Sequence, residues 1–280
     1  MAVKAFFLAK ARPWPLAIVL SGVAVGLSLL WPHRHFLVAD DVLMLQVMRG
    51  QFGDANAAYP VYMSYWLGWV LSRLYAWSPT LPWYALTLYG GLFLAWVGVF
   101  YSLLSWWRGR SAWWLCVVLF AFMGVLTVVS LTFSLVAVLL AISSMLLAAG
   151  WLQRPGLSLG AVASVSVLLA SMIRLHSMGL GVVLMLPVLM WFLWQNRDNS
   201  QRLVLGVWLG LAVVVAAGAL HWGSQQQYLQ SKAMARHFAS HIQLADGLHV
   251  DRQLQYPYNT QTALIYARHG WSEADYRLFF

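Results

Sequence analysis

The sequence predicts an all-α fold, a polytopic bundle of membrane helices, on three observations. Of its 280 residues 61% are hydrophobic and only 9% charged, where soluble domains carry about a quarter charged residues. Apolar runs recur along the chain, several close to the roughly 20 residues that a bilayer-crossing helix needs. Tryptophans mark many of their ends, among them Trp31, Trp83, Trp106, Trp151, Trp194 and Trp222, as an aromatic belt at headgroup level would.

The runs are 15–32, 83–107, 112–130, 132–150, 157–173, 178–194 and 203–220. The first follows Lys4, Lys10 and Arg12, as a signal peptide would, yet it is long for one. Leu37-Val38-Ala39 is also a poor cleavage site, so it reads as an uncleaved first span. A further run, 61–77, holds Arg73 and is bounded by Pro60 and Pro79. Charge decides how it lies. With a cytoplasmic N-terminus, a 61–77 run that stays in the interface leaves Arg108, Arg110, Arg154, Arg197 and Arg202 in cytoplasmic loops, as the positive-inside rule requires. A crossing run would reverse every later loop.

In this arrangement seven of the eight acids lie outside and only Asp198 inside. The expected product is a module over 1–220 with about seven spans. Its first external loop, 33–82, carries interfacial helices, and an extracytoplasmic segment, 221–280, follows. That segment is polar, holds Gln225-Gln226-Gln227, and predicts an amphipathic surface helix over 224–241. It ends at Phe279-Phe280 with no terminal cap and reads as incomplete. Localisation to a bacterial plasma (inner) membrane fits the whole pattern.

The formal charge of +9, from 17 Lys+Arg against 8 Asp+Glu, would suggest nucleic acid in a soluble domain. Here the basic residues sit between apolar runs, so the expected partners are membrane lipids with anionic headgroups, and no nucleic acid. Cys116 is the single cysteine, which excludes an intrachain disulfide. Gly22/Gly26, Gly156/Gly160 and Gly206/Gly210 have the spacing of close helix packing. No P-loop, GxSxG, CxxC or dinucleotide fingerprint occurs in convincing context.

Few residues are placed to carry chemistry. Asp40-Asp41 open the first external loop ahead of Val42–Met48 and Arg49-Gly50. One aspartate suffices to cap a short helix, and a second carboxylate near the bilayer is costly unless used or paired. Either acid is suited to act as a general base or to hold a divalent cation. Arg174, in Met172-Ile173-Arg174-Leu175-His176, falls on the external side, against the charge rule. Its fork suits phosphate; snorkelling is the plain alternative. His176 also reads as a headgroup-level turn residue. Thr132-Phe133-Ser134 would face the same external cavity as Arg174, although turn and interhelical roles explain these residues as simply. His33/His35 and His237/His241 have ligand-like spacings that ordinary loop and helix positions explain better, so the metal question stays open.

Several features together resemble a known group. They are the basic N-terminus and single span, Val38-Ala39-Asp40-Asp41-Val42-Leu43, Arg49-Gly50 and Tyr59-Pro60. Pro82-Trp83-Tyr84, Leu131-Thr132-Phe133, Met172-Ile173-Arg174 and Gly270-Trp271-Ser272-Glu273 complete the series. The order is similar to that of multi-pass proteins from bacterial surface-polysaccharide clusters that look like GT-C glycosyltransferases. The resemblance implies a GT-C-like module with an acid in the first external loop. It also implies a polyprenyl-phosphate-linked sugar donor and a saccharide or lipid-linked acceptor.

On that reading Asp40 or Asp41 is the catalytic acid, with the choice open. Arg174 and His176 meet the lipid phosphate, and Tyr59, Tyr62 and Trp66 stack on sugar faces. The second acid that many such enzymes carry in the next external loop is absent from 130–134. The alternatives are a transporter or flippase for lipid-linked sugars, and a non-catalytic membrane assembly protein.

Overall fold

Where lipid is the solvent, each backbone segment must satisfy its own hydrogen bonds, which favours long helices. The computed structural model describes residues 13–30, 35–36, 44–45, 48–49, 60, 62–107, 110–124, 127, 130–197 and 199–230. In order these form α1 (Pro13–Leu30), β1 (His35–Phe36), α2 (Tyr65–Trp77), α3 (Trp83–Trp106) and α4 (Arg110–Leu119), continued by a π-helical turn, Phe120–Gly124. After them come β2 (Ser130–Leu131), α5 (Phe133–Gln153), α6 (Leu157–Gln195) and α7 (Ser200–Gln230). Among the described residues the fold is helical apart from one two-residue parallel pairing of β1 with β2.

Among the described residues four helical segments are long and apolar enough to cross a membrane: Trp83–Trp106, Phe133–Gln153, Leu157–Gln195 and Leu203–Tyr228. Pro13–Leu27 and Arg110–Gly124 are shorter apolar helices. Local chemistry sets several of the ends. Pro13 and Pro15 occupy the first turn of α1, where a missing N–H costs little. Thr132 caps α5, its hydroxyl accepting from the Leu135 N–H at 3.2 Å. Arg154-Pro155-Gly156 separates α5 from α6.

The bundle has two ends. At the tryptophan end Trp14 meets Tyr101 at 4.2 Å between ring centroids, Trp106 meets Phe192 at 4.6 Å, and Gly150 faces the Trp106 indole. At the opposite, arginine end, Gly91 of α3 lies against Val136, Leu140 and Ile173. Helices α3 and α5 therefore run the same way, and Phe120 packs on Trp96 and Phe100 as α4 returns between them.

The 39 residues of α6 look like one very long helix, but Arg174 breaks it with extended backbone (φ −161°, ψ 105°). Contacts along α5 show what the break does. Before it, Gly160 lies by Trp151 and the Ala163 carbonyl accepts from Ser144 Oγ at 2.8 Å. After it, Gly181 lies against Val138 and Ala141, and Phe192 reaches Trp106. The two halves are antiparallel and reverse at Arg174, so the runs expected at 157–173 and 178–194 are distinct arms. Pro187 stays inside the second arm.

Helix α2, the run whose crossing was in question, has both ends at the arginine end. The Ser64 N–H donates to the Met172 carbonyl at 2.8 Å, and the Tyr65 N–H donates to Ser224 Oγ at 2.8 Å. At its far end the Tyr75 hydroxyl accepts from the Tyr84 N–H, at the start of α3. Its 13 residues do not traverse the bundle.

Two expectations need correction. Of the paired glycines, Gly160 and Gly206 touch neighbours, whereas Gly22, Gly26, Gly156 and Gly210 face none of the described residues. The close approaches fall instead at Gly91, Gly98 and Gly181. Residues 224–230 belong to α7 and do not begin a separate surface helix; the remainder of 224–241 lies outside the described residues. By contacts the chain divides into two units, Met1–Ser224 and Gln225–Phe280.

Candidate functional site

Arg174 sits where α6 turns back, half-buried. Its Nη1 donates to Ser134 Oγ in the first turn of α5. The guanidinium carbon lies 4.9 Å from the Phe133 ring centroid and 5.5 Å from that of Tyr62. Those two rings are themselves stacked, at 6.0 Å and 22°. Each cation–π contact contributes about 1 kcal/mol. Together with the Ser134 bond they fix the direction of the fork without neutralising it.

All eight acids of the chain fall outside the described residues, and among the described residues no carboxylate pairs with Arg174. A guanidinium carries several N–H donors, and here one is committed to Ser134. What such a group can do is receive an anion, and best a planar or tetrahedral oxyanion that takes two N–H bonds at once.

The break in α6 leaves the carbonyls just before it without helical partners. The Met172 carbonyl is taken by the Ser64 N–H, so the start of α2 is docked onto the turn that presents Arg174. Phe133 and Ser134, which the sequence placed in one cavity with Arg174, are thereby brought to it, and Tyr62, expected among the sugar-stacking residues, joins them. Thr132 completes the segment as the α5 cap. Ser64 and Ser224 were not anticipated, because a serine in an apolar run carries no signal of which neighbour it will meet.

Other candidates stand apart. His176 is exposed, two residues beyond Arg174. Trp66 is exposed and lies edge-on to Tyr65 at 5.3 Å and against Gly223 of α7, so it does not join Tyr62. Asp40, Asp41, Tyr59, His33, His237 and His241 lie outside the described residues. His35 is described only in its backbone pairing. No group of three or more metal-ligating side chains occurs among the described residues.

A second arginine, Arg49, stacks on Tyr75 at 5.4 Å. Burial holds the Tyr75 phenol above its usual range, against the downward pull of the Tyr84 N–H and of Arg49.

The outer faces of α6 and α7 expose Val183, Leu184, Met190, Trp191, Val207, Trp208, Val214 and Val215. A surface of that size and character belongs in lipid, not water. Helical fold and apolar girdle together define a polytopic helical membrane protein. No protein-family model, curated protein or solved structure matches the chain.

Proposed function

We propose that the chain is a membrane glycosyltransferase that takes sugar from a polyprenyl-phosphate-linked donor at the extracytoplasmic face of a bacterial inner membrane. In this reading it crosses seven times, with α1, α3, α4, the two arms of α6, α5 and α7 as the crossings. The observation that carries it is Arg174, held in place by a serine and two aromatic rings at the turn between the arms of α6.

Charge supports the orientation. Arg110, Arg154 and Arg197 lie at the tryptophan end, and Lys4, Lys10 and Arg12 precede the helix whose Trp14 packs there. Positive-inside asymmetry supports that end as cytoplasmic and the arginine end as external. A shared compartment for Asp40, Asp41 and Arg174 is supported by the β1–β2 pairing. Phe36 is paired with Leu131, three residues before the Ser134 that accepts from Arg174. Asp40 follows Phe36 by four residues, so covalent geometry keeps their Cα atoms within about 14 Å.

The donor's isoprenoid tail would lie in the bilayer with its phosphate at the headgroup level, where Arg174 stabilises the charge that grows on the leaving phosphate. Asp40 or Asp41 would take the proton from the acceptor hydroxyl as that oxygen bonds to the sugar, or anchor a divalent cation. Tyr62 serves the arginine in this account; sugar stacking by Tyr59 and Trp66 stays part of the proposal.

The test is sugar transfer from polyprenyl-phosphate-linked donors in membranes carrying Asp40→Asn, Asp41→Asn, the double variant or Arg174→Gln. At least one aspartate variant and Arg174→Gln are expected to abolish transfer at unchanged protein level in the membrane. Full activity in both single aspartate variants and in the double defeats the assignment. Movement of lipid-linked sugar across proteoliposomes without transfer would make the protein a transporter instead.

A further inference from the structure

Two consecutive N–H groups at the start of α2 are spent on two different helices. Ser64 donates to Met172 of α6, two residues before Arg174, and Tyr65 donates to Ser224 of α7. Beside the second bond the Trp66 indole lies against Gly223, within ordinary van der Waals distance of where a Cβ would stand. The start of α2 therefore bridges α6 and α7 at the level of the arginine.

Helix α7 is otherwise loosely held. Of its side chains described, only Ala217 and Ser224 are buried. Near its first turns Gly206 touches Leu152 and Trp151, and Gly160 faces Leu209. Leu211, Val214 and Val215 between these ends are exposed, and Gly218 faces none of the described residues. In lipid, apolar contact gives little net attraction between helices because acyl chains replace it equally well. A polar bond at the arginine end therefore weighs heavily in where α7 rests.

We propose that the Tyr65–Ser224 bond is the latch of a lateral gate, released when α7 swings from α2 to admit a lipid-borne phosphate from the bilayer to Arg174. The inference rests on the reading of Arg174 as the lipid-phosphate site and adds how that site is reached. Sideways access fits the ligand: a polyprenyl phosphate keeps its tail in the membrane and would reach the arginine within the plane of the bilayer.

The experiment uses the full chain in lipid nanodiscs and a fluorescent short-chain polyprenyl phosphate as probe, with association, dissociation and equilibrium affinity measured by stopped flow and titration. Ser224→Ala removes the acceptor and is expected to raise both rates about fivefold, the factor one hydrogen bond typically carries, at unchanged affinity. Arg174→Gln is expected to weaken affinity about tenfold or more. With Cys116 replaced by alanine, oxidation of Tyr65→Cys/Ser224→Cys is expected to stop exchange until dithiothreitol is added.

Rates for Ser224→Ala within about twofold of wild type would overturn the latch while the arginine site stands. Unchanged affinity in Arg174→Gln, or no binding by the wild type, would overturn the lipid-phosphate reading itself. If the paired cysteines do not crosslink, the Ser224→Ala rates decide alone.

Discussion

Arg174 has two jobs to reconcile: its backbone ends one helical arm and starts the next, while its guanidinium is stacked on two rings and tied to one hydroxyl. A lysine would keep the charge but lose the fork and the stacking. Arg174→Lys is therefore expected to weaken lipid-phosphate binding about three- to tenfold, and Ser134→Ala about threefold, by letting the fork turn. Equal binding by all three proteins in a titration with the fluorescent probe would remove phosphate recognition from this residue. The residue was legible in the sequence because a basic side chain stood where charge asymmetry asks for a neutral one. Phe133 and Ser134 were legible as its companions, since they open the helix that begins at the same end. Asp40 and Asp41 rest on sequence alone, because they lie outside the described residues.

Tyr75 gives a second test at this scale, through pH. Its folded-state pKa is raised by burial, so the neutral phenol is favoured in the fold. That contribution is fully present below the ordinary tyrosine value of about 10. It is lost as pH climbs from there through the folded value. Melting temperature in detergent should fall above about pH 10, and Tyr75→Phe should fall less steeply. Parallel curves for the two proteins would show that the phenol is not what titrates.

At the scale of elements, the informative glycines are those at which a helix backbone meets another helix. A Cβ at Gly181 would stand 2.6 Å from the Val138 carbonyl oxygen and 2.8 Å from Ala141 Cβ, contacts that only a backbone shift relieves. Gly181→Ala is expected to cost about 1–3 kcal/mol, read as a lower melting temperature in detergent. Gly22→Ala, where no described residue is near, should be neutral or gain up to about 1 kcal/mol from helix propensity. The reverse ranking would mean that the arms of α6 do not lie on α5 as described.

The spacing of small residues misled because it finds faces that permit close packing without saying which are used. Helix positions fared better: 83–107 and 132–150 correspond closely to Trp83–Trp106 and Phe133–Gln153. Hydropathy changes sharply at those ends, at Trp107-Arg108 and Gln153-Arg154. The reversal within Leu157–Gln195 was legible as a gap between two apolar runs. That it needs neither glycine nor proline was not, since tertiary contacts to Ser134, Tyr62 and Phe133 hold it. Two-residue β1 and β2 have no periodicity to read.

For the whole molecule, one asymmetry organises the account. Arg110, Arg154 and Arg197 lie at the tryptophan end, α2 stays at the other, and the β1–β2 pairing brings the start of the first long loop beside α5, whose Ser134 accepts from Arg174. If α2 crossed, every later connection would exchange sides, and Arg174 would be cut off from the aspartates. The most direct measurement is cysteine accessibility in intact cells, with Cys116 replaced by alanine and single probes at Asp41, Ser78, Gly109 and Leu175. An impermeant thiol reagent added outside is expected to label positions 41, 78 and 175 and to leave 109 protected until the membrane is opened. Labelling of 109 from outside, or of 41 and 175 from opposite sides, would contradict a common pocket for the acids and the arginine.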